Sequence, residues 1–116
     1  MKDKQKILEV FPNPQPDRDY TIIHTSPEFT SVCPKTGQPD FAIIDLEYIP
    51  DEVCVELKSY KFYLGSYRND GIYFEAVTNN ILNDLVAVLQ PRYIKITANW
   101  NPRGGISSVV IVEHTK

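Results

Sequence analysis

The sequence predicts an α+β fold in which a four-stranded antiparallel sheet carries two helices on one face, in the order β-β-α-α-β-β. Three observations lead there. Two stretches rich in β-branched and aromatic residues lie before Pro50, and two more follow Pro91. Between them lie two stretches with the apolar spacing of helices. Proline, glycine or asparagine marks the junctions, and 116 residues suit one domain.

Residues 1–19 carry Pro12, Pro14 and Pro16 in a polar setting. They are expected as an extended N-terminal arm, poorly packed on its own, with the domain spanning 20–116. From Tyr20 to Ser26, YTIIHTS forms the first predicted strand, which Pro27 limits. After the loop SVCPKTGQPD, FAIIDLEYI alternates as a second strand with Ile44, Leu46 and Tyr48 on one face, and Pro50 closes it. Val53, Leu57, Tyr60, Leu64 and Tyr67 predict one face of a helix ending near Gly71, with Lys58, Lys61 and Arg68 on a neighbouring face. Val77, Ile81, Leu82, Leu85, Val86 and Leu89 predict a second helix from about Glu75 to Leu89. YIKITANW and ISSVVIVEH are the last two strands, separated by the turn NPRGG. The uncovered sheet face and the open sheet edges predict closure into a multi-subunit barrel, a ring-like homo-oligomer.

Composition narrows the function classes. The chain is 42% hydrophobic and 23% charged, as in ordinary globular proteins. The net charge of −3 and the scatter of 12 Lys and Arg argue against a bulk electrostatic grip on nucleic acid. With no signal-like or membrane-length apolar run, the expected compartment is the cytoplasm. Cys33 and Cys54 are expected as free thiols, and His24 and His114 stand at no zinc-binding spacing, so no metal is expected. The five glycines contain no G-x-G-x-x-G, which excludes a Rossmann cofactor site.

Chemistry gathers in the first loop, where Cys33 and Asp40 are seven residues apart and turn residues can fold them toward one site. An unperturbed thiol is only about 3% thiolate at neutral pH, so a nucleophilic Cys33 needs help from its surroundings. The alternative is a buried cysteine beside a solvated carboxylate. Glu75 opens the second helix, where taken alone it reads as an acid favoured by the helix dipole. Lys58 and Lys61 fall side by side on a helix, and Arg103 lies in a glycine-rich turn. Such groups suit phosphates or form a solvated face.

Four segments carry a resemblance: Cys33-Pro-x-Thr-Gly-x-Pro-Asp40; Glu56-Leu57-Lys58-Ser59-Tyr60-Lys61-Phe62-Tyr63; Tyr67-Arg68-Asn69 before Gly71; and Pro102-Arg103-Gly104-Gly105-Ile106. From about residue 26 to about residue 112 the chain resembles the short, single-domain NADPH-dependent 7-cyano-7-deazaguanine reductases of the tunnelling-fold superfamily, which also contains GTP cyclohydrolase I. The resemblance implies reduction of the substrate nitrile to an aminomethyl group with NADPH, in the pathway to the tRNA nucleoside queuosine. It assigns Cys33 as the nucleophile that forms a thioimidate and Asp40 as the acid. It places Glu75, Phe74 and Glu56 at the base, and Lys58, Ser59, Lys61, Arg103 and Gly104 at the cofactor. It further implies a homo-oligomer, a decamer, with sites at subunit interfaces. Phe74 departs from members that carry His there. Competing readings are an ammonia-using, amidine-forming relative and a non-catalytic purine- or pterin-binding oligomer.

Overall fold

The computed structural model describes residues 2–116, so Met1 of the expected arm lies outside the described residues. In chain order the elements are α1 (Lys2–Gln5), β1 (Val10–Pro12), β2 (Ile22–Val32), β3 (Pro39–Ile49), β4 (Val53–Val55), α2 (Leu57–Gly65), α3 (Phe74–Leu89), β5 (Tyr93–Arg103) and β6 (Ile106–Thr115). The main sheet runs β2-β3-β5-β6 with every pair antiparallel, as the β-β-α-α-β-β order predicts. The predicted face of β3 is the core face: Ile44, Leu46 and Tyr48 are all fully buried. Opposite them in the same layer lie Ile94, Ile96, Ala98 and Trp100 of β5, covered by Val77, Ile81 and Leu85 of α3 and by Tyr60, Tyr63 and Leu64 of α2. Two-residue alternation in strands and the 3.6-residue turn of helices place these side chains in one layer without long-range instruction.

Beyond β3 and β5, which extend through Pro39 and Arg103 into residues expected as loop and turn, three further boundaries differ from the sequence expectation. β2 passes through Pro27 to Val32, with a register shift between Ser26 and Phe29. An edge strand tolerates the missing N–H, and the bulge absorbs the proline. Val53–Val55, expected to begin the first helix, instead pairs with β1 as a two-stranded sheet. Glu56 then caps α2 through both carboxylate oxygens, so the helix starts at Leu57 and leaves that side chain 54% exposed. It also ends at Gly65 and not near Gly71; Tyr67 is buried from the turn that follows, where its hydroxyl lies 3.0 Å from that of Tyr63.

The N-terminal segment, expected to be extended and poorly packed, is extended at β1 and tied down along its length. Leu8 is buried, Glu9 N–H donates to Ser59 Oγ at 2.9 Å, and the Asn13 amide donates to Asp51 O at 2.8 Å. Lys4 pairs with Asp70 at 2.9 Å, and Arg92 donates to Pro16 O and pairs with Asp19. These contacts satisfy backbone groups that proline-rich sequence alone would leave to water. The sheet face away from the helices carries exposed Ile23, Phe41, Ile43, Val109 and Ile111.

Candidate active site

The site is assembled at one end of the sheet, where β3 begins, β5 ends and α3 starts. Asp40 shares the face of Ala42 and Ile44, so its carboxylate points under the helices and is nearly as buried as they are, at 4% exposure. β2 pairs Ser31 with Asp40 and Val32 with Pro39, which puts Cys33 in the connecting loop beside it. That loop is closed by Cys33 N–H donating to Gln38 O at 2.8 Å and Gly37 N–H donating to Cys33 O at 2.9 Å. Gly37 takes φ +73°, a conformation that costs glycine nothing in Cβ contact.

A second clamp joins this loop to α3. Val32 N–H donates to Asp70 O at 2.9 Å, and Ile72 N–H donates to Val32 O at 3.0 Å. Two residues further on, Phe74 and Glu75 open α3. Phe74 is half-buried and stacks on Trp100, with ring centroids 4.1 Å apart and planes at 7°; Phe29 meets the same indole edge-on. Cys33, Asp40, Tyr73, Phe74, Glu75 and Arg103 thereby line one cavity of about 210 Å³.

The electrostatics are specific. The Cys33 thiol is held below its ordinary value, first by the Thr36 hydroxyl and then by the backbone N–H groups of Thr36 and Lys35; partial burial and the Asp40 charge oppose them. A lowered thiol pKa raises the thiolate fraction at neutral pH. Arg103 Nη1 pairs with Asp40 Oδ1, and Nη2 donates to Gln38 Oε1 at 2.9 Å. Glu75 lies in the first turn of α3, and among the described residues no group bonds its carboxylate.

The structure thus brings together Cys33, Asp40, Phe74, Glu75 and Arg103, and leaves the other expected residues outside this cavity. The Glu56 carboxylate accepts from Ser59 N–H at 2.7 Å and Lys58 N–H at 3.1 Å. Ser59 is buried, donates to Glu56 O and accepts from Glu9 N–H. Within one chain these two groups hold the helix end and the arm. Lys58 is exposed, with Nζ over the Phe62 ring. Lys61 lines a separate groove of about 680 Å³ between α2 and β2, along with His24, Pro27, Tyr60 and Arg68. Gly104 and Gly105, at φ +62° and +80°, make the two-residue turn that follows Arg103. Sequence reasoning missed Thr36, Gln38 and Trp100. The first two sit inside the Cys33 to Asp40 segment it singled out, and Trp100 is the only tryptophan.

Residues 39–116 match the family model described as QueF-like protein. The chain is 60% identical over 107 residues to the NADPH-dependent 7-cyano-7-deazaguanine reductase of Rhodopirellula baltica, covering 92% of this chain and 88% of that one. It is 61% identical over 112 residues to the protein of the same name from Halorhodospira halophila, covering 97% and 95%. Among solved structures it resembles the archaeosine synthase QueF-Like in the apo form, with a TM-score of 0.71 and 25% identity over 82% of this chain and 91% of that one.

Proposed function

The chain belongs to the QueF-like protein family, and from that premise we propose that it reduces the nitrile of 7-cyano-7-deazaguanine to an aminomethyl group with NADPH, on the route to queuosine. The observation that carries the reading is the convergence of Cys33, Asp40 and Glu75 on one cavity of about 210 Å³. That volume suits a bicyclic base and lies below the roughly 300–1,000 Å³ of sites for larger ligands.

The geometry is consistent with the roles that the family resemblance implies. The free Glu75 carboxylate accepts the ring N–H and exocyclic amine of the base, while Phe74, fixed by Trp100, forms a flat wall. In this reading Phe74 packs where some relatives offer an imidazole, which leaves Asp40 as the proton carrier. Cys33 sulfur adds to the nitrile carbon, and its proton passes through Asp40 to the nitrile nitrogen, giving a thioimidate. NADPH, when bound, supplies the two hydrides that a four-electron reduction requires. At each reduction Asp40, reprotonated from solvent, delivers a proton to nitrogen, and after the first the nitrogen lone pair forms the C=N bond as the C–S bond breaks and Cys33 departs as thiolate.

The donor set fits a phosphate-bearing cofactor. Lys61 and Arg68 line the groove beside α2, Lys58 is exposed on the same helix, and Arg103, which Gly104 follows in the turn, borders the base cavity. These cations lie at separate places on one chain, and the helix-free sheet face exposes Ile23, Phe41, Ile43, Val109 and Ile111, so we read the active unit as a homo-oligomer with sites at subunit interfaces, a decamer by the family resemblance. The same reading takes 20–116 as the domain, 1–19 as an arm laid on it, and the cytoplasm as the compartment. Among the described residues no helix is long and apolar enough to cross a membrane.

Mass spectrometry after incubation with the base and no NADPH tests the class. Wild type and Cys54→Ala should gain the mass of one base, and Cys33→Ala should not. A wild type without adduct, or a Cys33→Ala variant that consumes NADPH in a base-dependent way, would overturn the mechanism. The likeness to an archaeosine synthase favours a second reading on the same residues; ammonia incorporation without NADPH consumption would select it.

A further inference from the structure

We infer that Arg103 is a positioning residue for Asp40, setting that carboxylate against Cys33 before any cofactor phosphate reaches the guanidinium. The inference rests on the reading of Asp40 as the proton carrier for Cys33.

Arg103 reaches Asp40 because of a bulge. In β5 the even-numbered residues Ile94, Ile96, Ala98 and Trp100 face the helices, so an odd position would point to the opposite face. The pairing of β5 with β6 shifts between Trp100, opposite Ser108, and Arg103, opposite Ile106, which inserts one extra residue on the β5 side. A bulge of this kind reverses the alternation and re-aims the next side chain. Arg103 consequently turns to the helix-bearing face at the strand end, and the two positive-φ glycines return the chain at once.

The guanidinium then forks onto the hairpin that holds Cys33. Nη1 takes Asp40 and Nη2 takes Gln38, whose own carbonyl accepts the Cys33 N–H. Thr30 Oγ1 donates to Asp40 O at 2.8 Å, which fixes the same residue from the β2 side. The carboxylate is 5% exposed at its side chain, whereas Arg103 is 34% exposed, so the arginine joins a buried anion to an accessible edge of the cavity. Without the guanidinium, the carboxylate loses the side-chain partner that fixes its direction beside Cys33. In the step at issue the S–C bond forms, one C–N π pair moves to nitrogen, and Asp40 takes a proton from sulfur and gives it to nitrogen. No reductant enters, so the step runs without cofactor.

The test is the rate of cofactor-free adduct formation with 7-cyano-7-deazaguanine. Arg103→Ala should slow it about ten-fold or more, the scale of one charged hydrogen-bonding partner, and Arg103→Lys, which keeps the charge but loses the fork, should recover part. The turnover number of Arg103→Ala should stay low at saturating NADPH. Adding Arg103→Ala to Asp40→Asn should cost little beyond Asp40→Asn alone, because one residue acts through the other. Circular dichroism identifies a variant that has failed to fold, and Arg103→Lys then supplies the comparison. The inference is overturned if Arg103→Ala forms adduct within about two-fold of wild type and its whole effect falls on the Michaelis constant for NADPH, or if the two substitutions are additive. Absence of adduct in wild type would instead remove the underlying reading.

Discussion

Replacing Glu75 separates a ligand contact from a helix-end acid. Glu75 lines the base cavity from the first turn of α3 and is bonded by no group among the described residues, so it is open to two parallel donors. Losing a charged pair of hydrogen bonds costs about 1.5–3 kcal/mol, which at about 1.4 kcal/mol per decade is roughly a 10- to 150-fold rise in Kd. A mere first-turn acid contributes about 0.3–1 kcal/mol to stability, partly offset in Glu75→Ala by the better helix propensity of alanine. The two roles therefore differ in observable: one moves affinity with little change in Tm, the other moves Tm with no change in affinity. Binding can be followed on a Cys33→Ala background, which removes the covalent step. The sole tryptophan, Trp100, stacks on Phe74, whose other surroundings include the same cavity, so its fluorescence reports occupancy. An affinity for the base within about two-fold of the Cys33→Ala parent, accompanied by a lowered Tm, would refute the assignment of Glu75 to the base.

Other perturbations test the rest of the site. Thr36→Val removes the hydroxyl that contributes most to lowering the Cys33 pKa, so the pH profile of iodoacetamide alkylation at Cys33 should move to higher pH and the rate at pH 7 should fall; an unmoved profile would assign the reactivity elsewhere. Asp40→Asn keeps the shape of the side chain but cannot carry a proton, and turnover should drop about 100- to 10,000-fold, with circular dichroism unchanged. Equal turnover numbers would take Asp40 out of the reaction. Lys58→Ala combined with Lys61→Ala should raise the Michaelis constant for NADPH and weaken its salt dependence, since two cations leave the phosphate contacts. Unaltered cofactor kinetics would return both lysines to an ordinary solvated face.

Much of the fold was legible because its signals are local. Ile44, Leu46 and Tyr48 alternate, and Val77, Ile81 and Leu85 recur at helical spacing, so each stretch displays its buried face without knowledge of its partner. The boundaries were less legible where another segment intervenes. Val53 fits a helical stripe with Leu57 and Tyr60, yet it pairs with Pro12, because β1 offers a ladder and Glu56 caps the helix three residues later. Pro27 reads as a strand end, but an edge position and a bulge let β2 continue.

At the site, the sequence by itself determined which residue types are present and that Cys33 and Asp40 belong to one hairpin, since a short connection cannot carry them far apart. It also determined that a helix opens at about Glu75, which the structure begins one residue earlier at Phe74. Only the tertiary structure decided that this helix end meets that loop, through the Val32, Asp70 and Ile72 backbone bonds, and that Trp100 backs Phe74. Only it decided that Arg103, 63 residues along the chain from Asp40, turns inward to bond it. The physical reason is that a bulge changes side-chain direction by one residue of register, and register is a property of paired strands that neither strand carries alone.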